Sequence, residues 1–323
     1  MAFQDATRRK MLPLPAQASV VGGGNVVTWD IPKTGLLAAI HLSIRCVTTA
    51  GACAAPNIYG FCAAIRRVRL ISNSGIDLFN VTGPGYFYLL QNMLEHYQPV
   101  TPQNAGQTAV AINQTVNLDM IVPVALNARD PVGLFMLQNE QTLVQLSVEF
   151  ETTLILGGAA CDAITTVCPW VEYFTVPVDV KDWPPLNVVQ QILEDDRAIV
   201  AVGDLDYSWP RGNTYIQVAH AYGCLQAGSA DNWTRAILLV NQSETLIDLT
   251  PAGMILEWNR SHGFARALGV CLMDLMGTSG LGTMGSSRDL LYSAMVTELT
   301  TRITIGAQPF LLRSIRRQLV ALR

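Results

Sequence analysis

Charged residues are scarce in this sequence. Only 14% of its 323 residues are Asp, Glu, Lys or Arg, whereas about a quarter is usual for a soluble chain. Half of the residues are hydrophobic, so we expect much of the surface to be covered, most simply by further copies of the same chain. The small net charge of −4 gives no reason to expect a nucleic-acid-binding domain, which usually has a basic stripe.

The sequence also lacks segments that predict a transmembrane helix or a signal peptide. Its two long uncharged runs, 46–65 and 96–118, are interrupted by Gly, Pro, Asn or Gln and cannot be continuous apolar helices. No apolar stretch follows the charges of the first ten residues. The seven cysteines show no C-x-x-C spacing, which predicts free thiols in a chain made in a reducing cytoplasm.

Strand signals dominate the rest of the chain. Residues 142–150 alternate between apolar and polar, as expected for a half-buried antiparallel strand. Short strands separated by Gly, Pro and Asn clusters predict a β-sandwich or barrel. Only three stretches predict a helix: 85–97, 186–197 and the C-terminal tail from about Phe310. The second follows two prolines, which suit a first helical turn.

An internal repeat is the most informative feature. Each half has a tryptophan, a proline–glycine turn and a strand with a histidine, and later an Ile-Asp-Leu triplet that precedes Thr, Pro and Gly. Each half closes with an alternating strand. The corresponding residues are Trp29, Pro32, Gly35, His41, Ile76-Asp77-Leu78 and Leu143–Phe150 in the first half, and Trp209, Pro210, Gly212, His220, Ile247-Asp248-Leu249 and Leu299–Ile305 in the second. The shared order predicts two similar β domains; the alternative is a chance similarity between two unrelated ones.

The junction between the halves is predicted at 176–185, where proline and charged residues cluster as they do in linkers. We therefore expect a first domain at 1–180, with an N-terminal arm. The second domain, at 181–323, is expected to contain the linker helix, a second barrel and a basic tail.

This layout resembles the double-jelly-roll major capsid proteins of tailless icosahedral viruses, such as tectiviruses and corticoviruses. The resemblance covers nearly the whole chain and rests on architecture and repeat order, not on a signature motif. It implies an all-β fold of two tandem eight-stranded jelly-roll barrels with a few short helices. It also implies a structural protein of the virion, made in the host cytoplasm. Loops shorter than those of many relatives imply a rather flat exterior.

The resemblance has further implications for partners. The chain is expected to form a homotrimer with a pseudo-hexagonal outline, and this capsomer contacts neighbouring capsomers and minor capsid or vertex proteins. In this family the shell often encloses an internal lipid membrane, which the chain termini could contact, as they could the genome.

No motif predicts catalysis, a metal site or an organic cofactor. Residues 280–285 match G-x-G-x-x-G, but they lie near the C-terminus of a chain without alternating strand–helix units. A flexible glycine loop is therefore favoured over a dinucleotide site. For Glu194-Asp195-Asp196, a solvated charge run is favoured over a divalent-cation site, because nothing nearby in the sequence completes a ligand set.

Repeat-equivalent histidines and tryptophans allow two interpretations each. His41 and His220 could form a proton-sensitive subunit interface, but strand histidines with satisfied hydrogen bonds are favoured. Trp29 and Trp209 could stack on sugars, but their recurrence just before a strand favours packing at the barrel end.

Basic residues concentrate at the two ends of the chain. Leu311, Ile315, Leu319 and Leu322 recur at a spacing that predicts one face of an amphipathic helix. The candidate membrane- or genome-facing residues are Arg8, Arg9, Lys10, Arg313, Arg316, Arg317 and Arg323. They could contact anionic lipid or nucleic-acid phosphates; the alternative is that the apolar stripe packs against the base of the trimer.

Three functions remain open at this point. A structural shell protein accounts for the low charge and the paired barrels. A virion spike or carbohydrate-binding β-sandwich protein would have aromatic residues on loop tips, whereas most aromatics here lie in or beside predicted strands. A β-sandwich hydrolase would need convergent carboxylates or a Ser/His/Asp set, which the repeat does not bring together, although fold alone does not decide function.

Overall fold

A computed structural model of the chain describes residues 3, 6–20, 24–48, 53–54, 60–72, 75–90, 93, 109–110, 115–126, 132–138, 143–151, 163–199, 201–222, 231–254, 269–275, 290–306 and 311–321. Its strands are β1 Arg9–Pro13, β2 Gln17–Val20, β3 Val26–Asp30, β4 Leu36–Thr48, β5 Cys53–Ala54, β6 Ile65–Ser72, β7 Asp77–Val81, β8 Ala109–Val110, β9 Thr115–Pro123, β10 Phe135–Met136, β11 Val144–Phe150, β12 Ala163–Phe174, β13 Val188–Ala198, β14 Gly203–Ser208, β15 Thr214–Tyr222, β16 Trp233–Val240, β17 Glu244–Leu249, β18 Val270–Asp274, β19 Leu291–Tyr292, β20 Leu299–Ile305 and β21 Leu311–Ala321.

Helical segments are short. An α-helical turn, α1, spans Gly83–Gly85 and continues into a π-helical turn at Tyr86–Leu90. Residues 251–254 are also helical. The 3-10 turns are Gly60–Ala64, Val180–Asp182 and Ser293–Met295.

The chain divides into two compact units. The first takes most of the described residues up to Leu193, and the second takes those from Glu194 to Val320. The boundary therefore falls inside β13.

The first unit contains two sheets. One has the order β1-β12-β4-β9, with β2 also pairing β12 and β10 pairing β4. The other has the order β3-β11-β6-β7, and residues of β13 pair in parallel with β7. Alternate residues of β11 are buried, as predicted for a strand with one face in the core. Apolar side chains of β4 and β9, such as Ile40, Ile44 and Leu118, are fully buried.

The second unit repeats this arrangement. One sheet has the order β14-β20-β16-β17, and the other has the order β13-β21-β15-β18, with β19 also pairing β15. If the eight principal strands of each unit are lettered B to I in chain order, both units have one B-I-D-G sheet and one C-H-E-F sheet. This order defines a jelly roll. The predicted fold class, all-β with two tandem eight-stranded jelly-roll barrels and a few short helices, is confirmed.

Parts of the sequence repeat occupy equivalent structural positions. The E strands β6 and β16 have the same pattern of exposed and buried residues along their eight positions. The two Ile-Asp-Leu triplets are not equivalent, because Asp77 pairs with Arg69, the fifth residue of β6, whereas Asp248 pairs with Arg235, the third residue of β16. The threonine that follows each F strand caps a helical turn, because its hydroxyl accepts a hydrogen bond from the glycine N–H three residues on, at 3.1 Å in both units.

The proline–glycine turn of the first unit shows why glycine is needed there. Gly35 has a φ of +67°, and a Cβ at this position would lie 2.4 Å from the carbonyl oxygen of Phe174. Both the backbone conformation and the close approach therefore exclude a side chain.

Two of the three predicted helices are wrong. The predicted linker helix 186–197 is strand β13, and the predicted C-terminal amphipathic helix is strand β21. A spacing of four residues places Leu311, Ile315 and Leu319 on one side of a strand as well as on one side of a helix. Pairing of β21 with β13 and β15 decides between these conformations. The helix at 85–97 is confirmed for residues up to 90; most of its remainder lies outside the described residues.

Candidate functional site

A group of five charged side chains lies in the second unit, where β13 pairs with β21. We call it the arginine–carboxylate cluster: Glu194, Asp195 and Asp196 from β13, and Arg313 and Arg316 from β21. Arg313 Nε lies 2.9 Å from Glu194 Oε1 and 3.1 Å from Asp196 Oδ1. The side chains of Arg313 and Glu194 are only 9% and 4% exposed, so each charge depends on its partner for compensation.

Arg316 forms the second half of the arginine–carboxylate cluster. Its guanidinium contacts the Asp195 carboxylate, and Tyr207 donates its hydroxyl hydrogen to Asp195 Oδ2 at 3.1 Å. Burial and the negative charge of Asp195 raise the pKa of Tyr207 to about 12. The phenol therefore stays protonated and remains a hydrogen-bond donor at neutral pH.

His220 is fully buried beside this cluster. Its Nδ1 lies 2.8 Å from Ser314 Oγ, and the edge of its ring contacts the ring of Tyr207. Burial lowers the pKa of His220 to about 3. The ring is therefore neutral at physiological pH and is not a proton sensor in that range.

The equivalent histidine of the first unit has a charged partner. His41 Nε2 lies 2.8 Å from Glu172 Oε2, and Arg9 donates from Nη2 to the same oxygen at 2.9 Å. Burial alone would raise the pKa of Glu172, but the hydrogen bonds from His41 and Arg9 and the charge of Arg9 outweigh it and hold the pKa below its usual value. Both repeat histidines, on D strands, therefore bond a side chain of the I strand. The buried Nε2 of His220 has no hydrogen-bond partner among the described residues, so the predicted satisfied hydrogen bonds are found only in part.

The predicted terminal basic residues have different surroundings. Arg8, Arg9 and Lys10 are exposed at the start of β1, whereas Arg313 and Arg317 are buried. Arg317 donates to Gln217 Oε1 at 3.3 Å, Arg316 is largely buried against Asp195, and Arg323 lies outside the described residues. Of the C-terminal arginines that are described, none is placed as the amphipathic-helix hypothesis required.

The structure also bears on three other features that the sequence singled out, the acidic triplet, the two repeat tryptophans and the glycine-rich loop. Glu194-Asp195-Asp196 is not a solvated run, because arginines of β21 pair with it. Trp29 Nε1 donates to Pro15 O and Trp209 Nε1 to Thr301 Oγ1, and both rings are buried as barrel-end packing predicted. The glycine-rich residues 280–285 lie outside the described residues.

Two further properties bear on function. Within the described ranges, no group of three or more His, Cys, Asp or Glu side chains is placed to hold a metal ion. Among the helices of the described residues, none is long and apolar enough to cross a membrane.

Sequence reasoning missed the arginine–carboxylate cluster as a site. The available signal was an acidic segment at the start of the second half of the sequence and a basic segment at its end. Arg313 and Asp196, which pair in the cluster, are 117 residues apart in the sequence. Only the B–I strand pairing of a jelly roll brings them together.

The fold and these strand positions define a double-jelly-roll protein. Comparison with solved structures gives the same class. The Sulfolobus turreted icosahedral virus major capsid protein matches with a TM-score of 0.70 at 15% identity, over 97% of each chain. The capsid protein in the quasi-atomic model of the PBCV-1 virus matches with a TM-score of 0.66 at 11% identity, over 97% of this chain and 95% of that one.

Bacteriophage PM2 provides a third match. Its major capsid protein P2 has a TM-score of 0.59 at 12% identity, over 98% of each chain. No protein-family model and no curated protein matches the sequence. At these identities the likeness is one of fold, and it extends over nearly the whole length of both partners in each comparison.

Proposed function

We propose that this chain is the major capsid protein of an icosahedral virion. The observation that supports this most is the match of the complete double-jelly-roll fold, end to end, with viral major capsid proteins. Low charge and the exposed large apolar residues Val178 and Met295 agree with a protein whose surface is largely covered in an assembly. Its function is then association, not turnover, and its place is the capsid shell.

The building block we propose is a homotrimer that imitates a hexagon, because two similar jelly rolls per chain supply six similar units. In the shell this capsomer would contact further capsomers and minor capsid or vertex proteins. Contact of the chain termini with an internal membrane or the genome stays a prediction, and only Arg8, Arg9 and Lys10 among the described candidates are exposed for it.

Size-exclusion chromatography with multi-angle light scattering on the purified chain tests this proposal. We expect a stable complex with three times the mass of the 35.1 kDa chain, with a hexagonal outline in negative-stain images. A chain that remains monomeric at all concentrations, or binds glycans as a monomer, would favour a spike or carbohydrate-binding protein instead.

A further inference from the structure

In the first unit, the F strand β7 pairs with β6 along one edge and with another strand along its other edge. Residues Ile192 and Leu193 of β13 pair in parallel with Phe79 and Asn80 of β7. All four residues belong to the first unit. A B-type strand, added in parallel, therefore covers the edge of this C-H-E-F sheet.

The F strand of the second unit lacks such a neighbour in the described part of the chain. Strand β17 pairs only with β16 there. Most of its residues are exposed, and Leu246 keeps 44% of its surface accessible. An exposed edge of this kind presents backbone N–H and C=O groups that another strand can use.

Strand β1 is the counterpart of the covering strand. It is the B strand of the first unit and, within the described residues, pairs only with β12. Each of β1 and β13 is a B strand that pairs with the I strand of its unit, β12 and β21 respectively. Strand β1 therefore holds the same place in the first unit as β13 holds in the second.

We propose that β1 of one copy of this chain adds in parallel to β17 of a second copy. This inference rests on the proposed function, since it names the strand edges through which shell subunits associate. In the first unit Phe79 lies opposite Leu70 of β6, and in the second unit Ile247 lies opposite Leu238 of β16.

The equivalence of Phe79 with Ile247 shows which part of β17 corresponds to the covered part of β7. Addition of β1 along this part of β17 brings Met11, in the middle of β1, close to Leu246, in the middle of β17. Met11 is 51% exposed and Leu246 44%, so their contact would remove two large apolar side chains from water.

Charge also favours this pairing over the alternatives. Arg9 pairs with Glu172 and Asp248 with Arg235, so the charges left for this contact are Arg8 and Lys10 at the start of β1 and Glu244 on β17, and all three are exposed. Like charges disfavour pairing of β1 with β1 or of β17 with β17. The contact is therefore between different surfaces of the two copies, and such a contact generates a closed ring when its rotation closes.

A cross-linking experiment on mixed copies tests whether β1 of one copy lies against β17 of another. Met11→Cys and Leu246→Cys are prepared as separate proteins and mixed, and a short bis-maleimide is added. We expect a covalent dimer in the mixture and little in either protein alone, because the native cysteines are the same in all samples. A third variant, Val26→Cys, is the control, since Val26 is also exposed but lies on a different strand.

A charge-swap experiment tests the energetics. Lys10→Glu and Glu244→Lys should each weaken self-association about tenfold at low salt, because each replaces the attraction between the basic start of β1 and Glu244 with a repulsion. Neither Lys10 nor Glu244 makes an ion pair within the described residues, so the fold should tolerate both changes. Arg45→Glu, at an exposed side chain of β4, is the matched control and should leave self-association unchanged.

The outcomes separate this inference from the proposed function. If the chain forms its oligomer but the mixture gives no cross-link and both charge reversals are silent, the edge pairing is wrong and the shell function stands. If Lys10→Glu abolishes binding to anionic phosphatidylglycerol vesicles and leaves self-association intact, β1 faces lipid and the pairing is also wrong. A chain that never associates overturns both.

Discussion

Arg313 is the charged residue whose loss should cost most stability. Arg313→Ala would remove the guanidinium that lies 2.9 Å from the Glu194 carboxylate, which is 4% exposed. Breaking a buried ion pair from one side costs about 3–5 kcal/mol. We expect a loss of this size in the free energy of unfolding, measured by chemical denaturation.

Arg302 provides the matched control for that measurement. It pairs with Asp206 through two hydrogen bonds of 2.8 and 2.9 Å, but both side chains are close to half exposed. Arg302→Ala should therefore lower the free energy of unfolding far less than Arg313→Ala does. Equal losses in the two variants would show that burial of the Arg313 pair is not what stabilises it.

His220 predicts a dependence of stability on pH. Its pKa is about 3 in the folded chain and 6.5 as a free group, so between these values the unfolded state binds more protons. The free energy of unfolding is therefore unaffected by protonation of His220 above about pH 6.5 and decreases as the pH falls below that value. The decrease corresponds to a folding constant that is up to about tenfold smaller for each pH unit.

His220→Gln should remove this contribution. Denaturation at a series of pH values between 7.5 and 4.5 is the measurement, and the stability of the variant should fall less steeply than that of the unsubstituted chain. A direct readout is the His220 ring signal in NMR spectra, which should not titrate above pH 5. Titration near pH 6.5 would contradict the burial argument.

Strands β13 and β21 show why a local sequence pattern can predict the wrong conformation. Four-residue spacing of leucine and isoleucine suits both a helix and a strand, and two prolines before 186 suited a helix start. What separates the conformations is the long-range pairing of β13 carboxylates with β21 arginines. Nothing in a local window contains that information.

The repeated elements were predictable for the opposite reason. The turn before each D strand and the capping threonine depend on local backbone chemistry. Each recurs in the sequence because each unit needs the same turn. The fold class therefore followed from the sequence, while the arginine–carboxylate cluster, built from strands at opposite ends of one unit, did not. The domain boundary near residue 180 stays a prediction.

The turn between β16 and β17 holds a residue in a conformation that favours glycine. Asn241 and Gln242 have φ values of +51° and +61°, the pattern of a type I′ turn, in which Asn-Gly is preferred. Gln242→Gly should therefore raise the free energy of unfolding by about 1 kcal/mol, the cost of a left-handed conformation for a residue with a side chain.

Asn241→Gly at the neighbouring position should have the opposite effect. The Asn241 Oδ1 atom accepts hydrogen bonds from Thr297 N and Oγ1, at 2.8 and 2.7 Å, and glycine would leave these donors without it. Denaturation of the two variants side by side measures both effects. Destabilisation by Gln242→Gly would show that its contact with Glu298 matters more than its backbone conformation.

At the scale of the whole molecule, low charge and exposed apolar side chains point to surfaces that are covered on assembly. The connection between β12 and β13 shows this most directly. Val178 is 99% exposed and Val180 75%, and they flank Asp179 in one turn. Exposed apolar patches on soluble chains mark interaction sites, and nothing in the folding of the chain requires these two valines.

The double variant Val178→Asp, Val180→Asp should therefore separate folding from assembly. Because both side chains are largely in water already, the free energy of unfolding should change by less than about 0.5 kcal/mol. Self-association, followed by light scattering, should nevertheless be lost, since two carboxylates would have to be desolvated in the contact. Val202→Asp, at a side chain that is 55% exposed in a different connection, is the control and should associate normally. Unchanged association of the double variant would mean that this turn remains in solvent in the assembled shell.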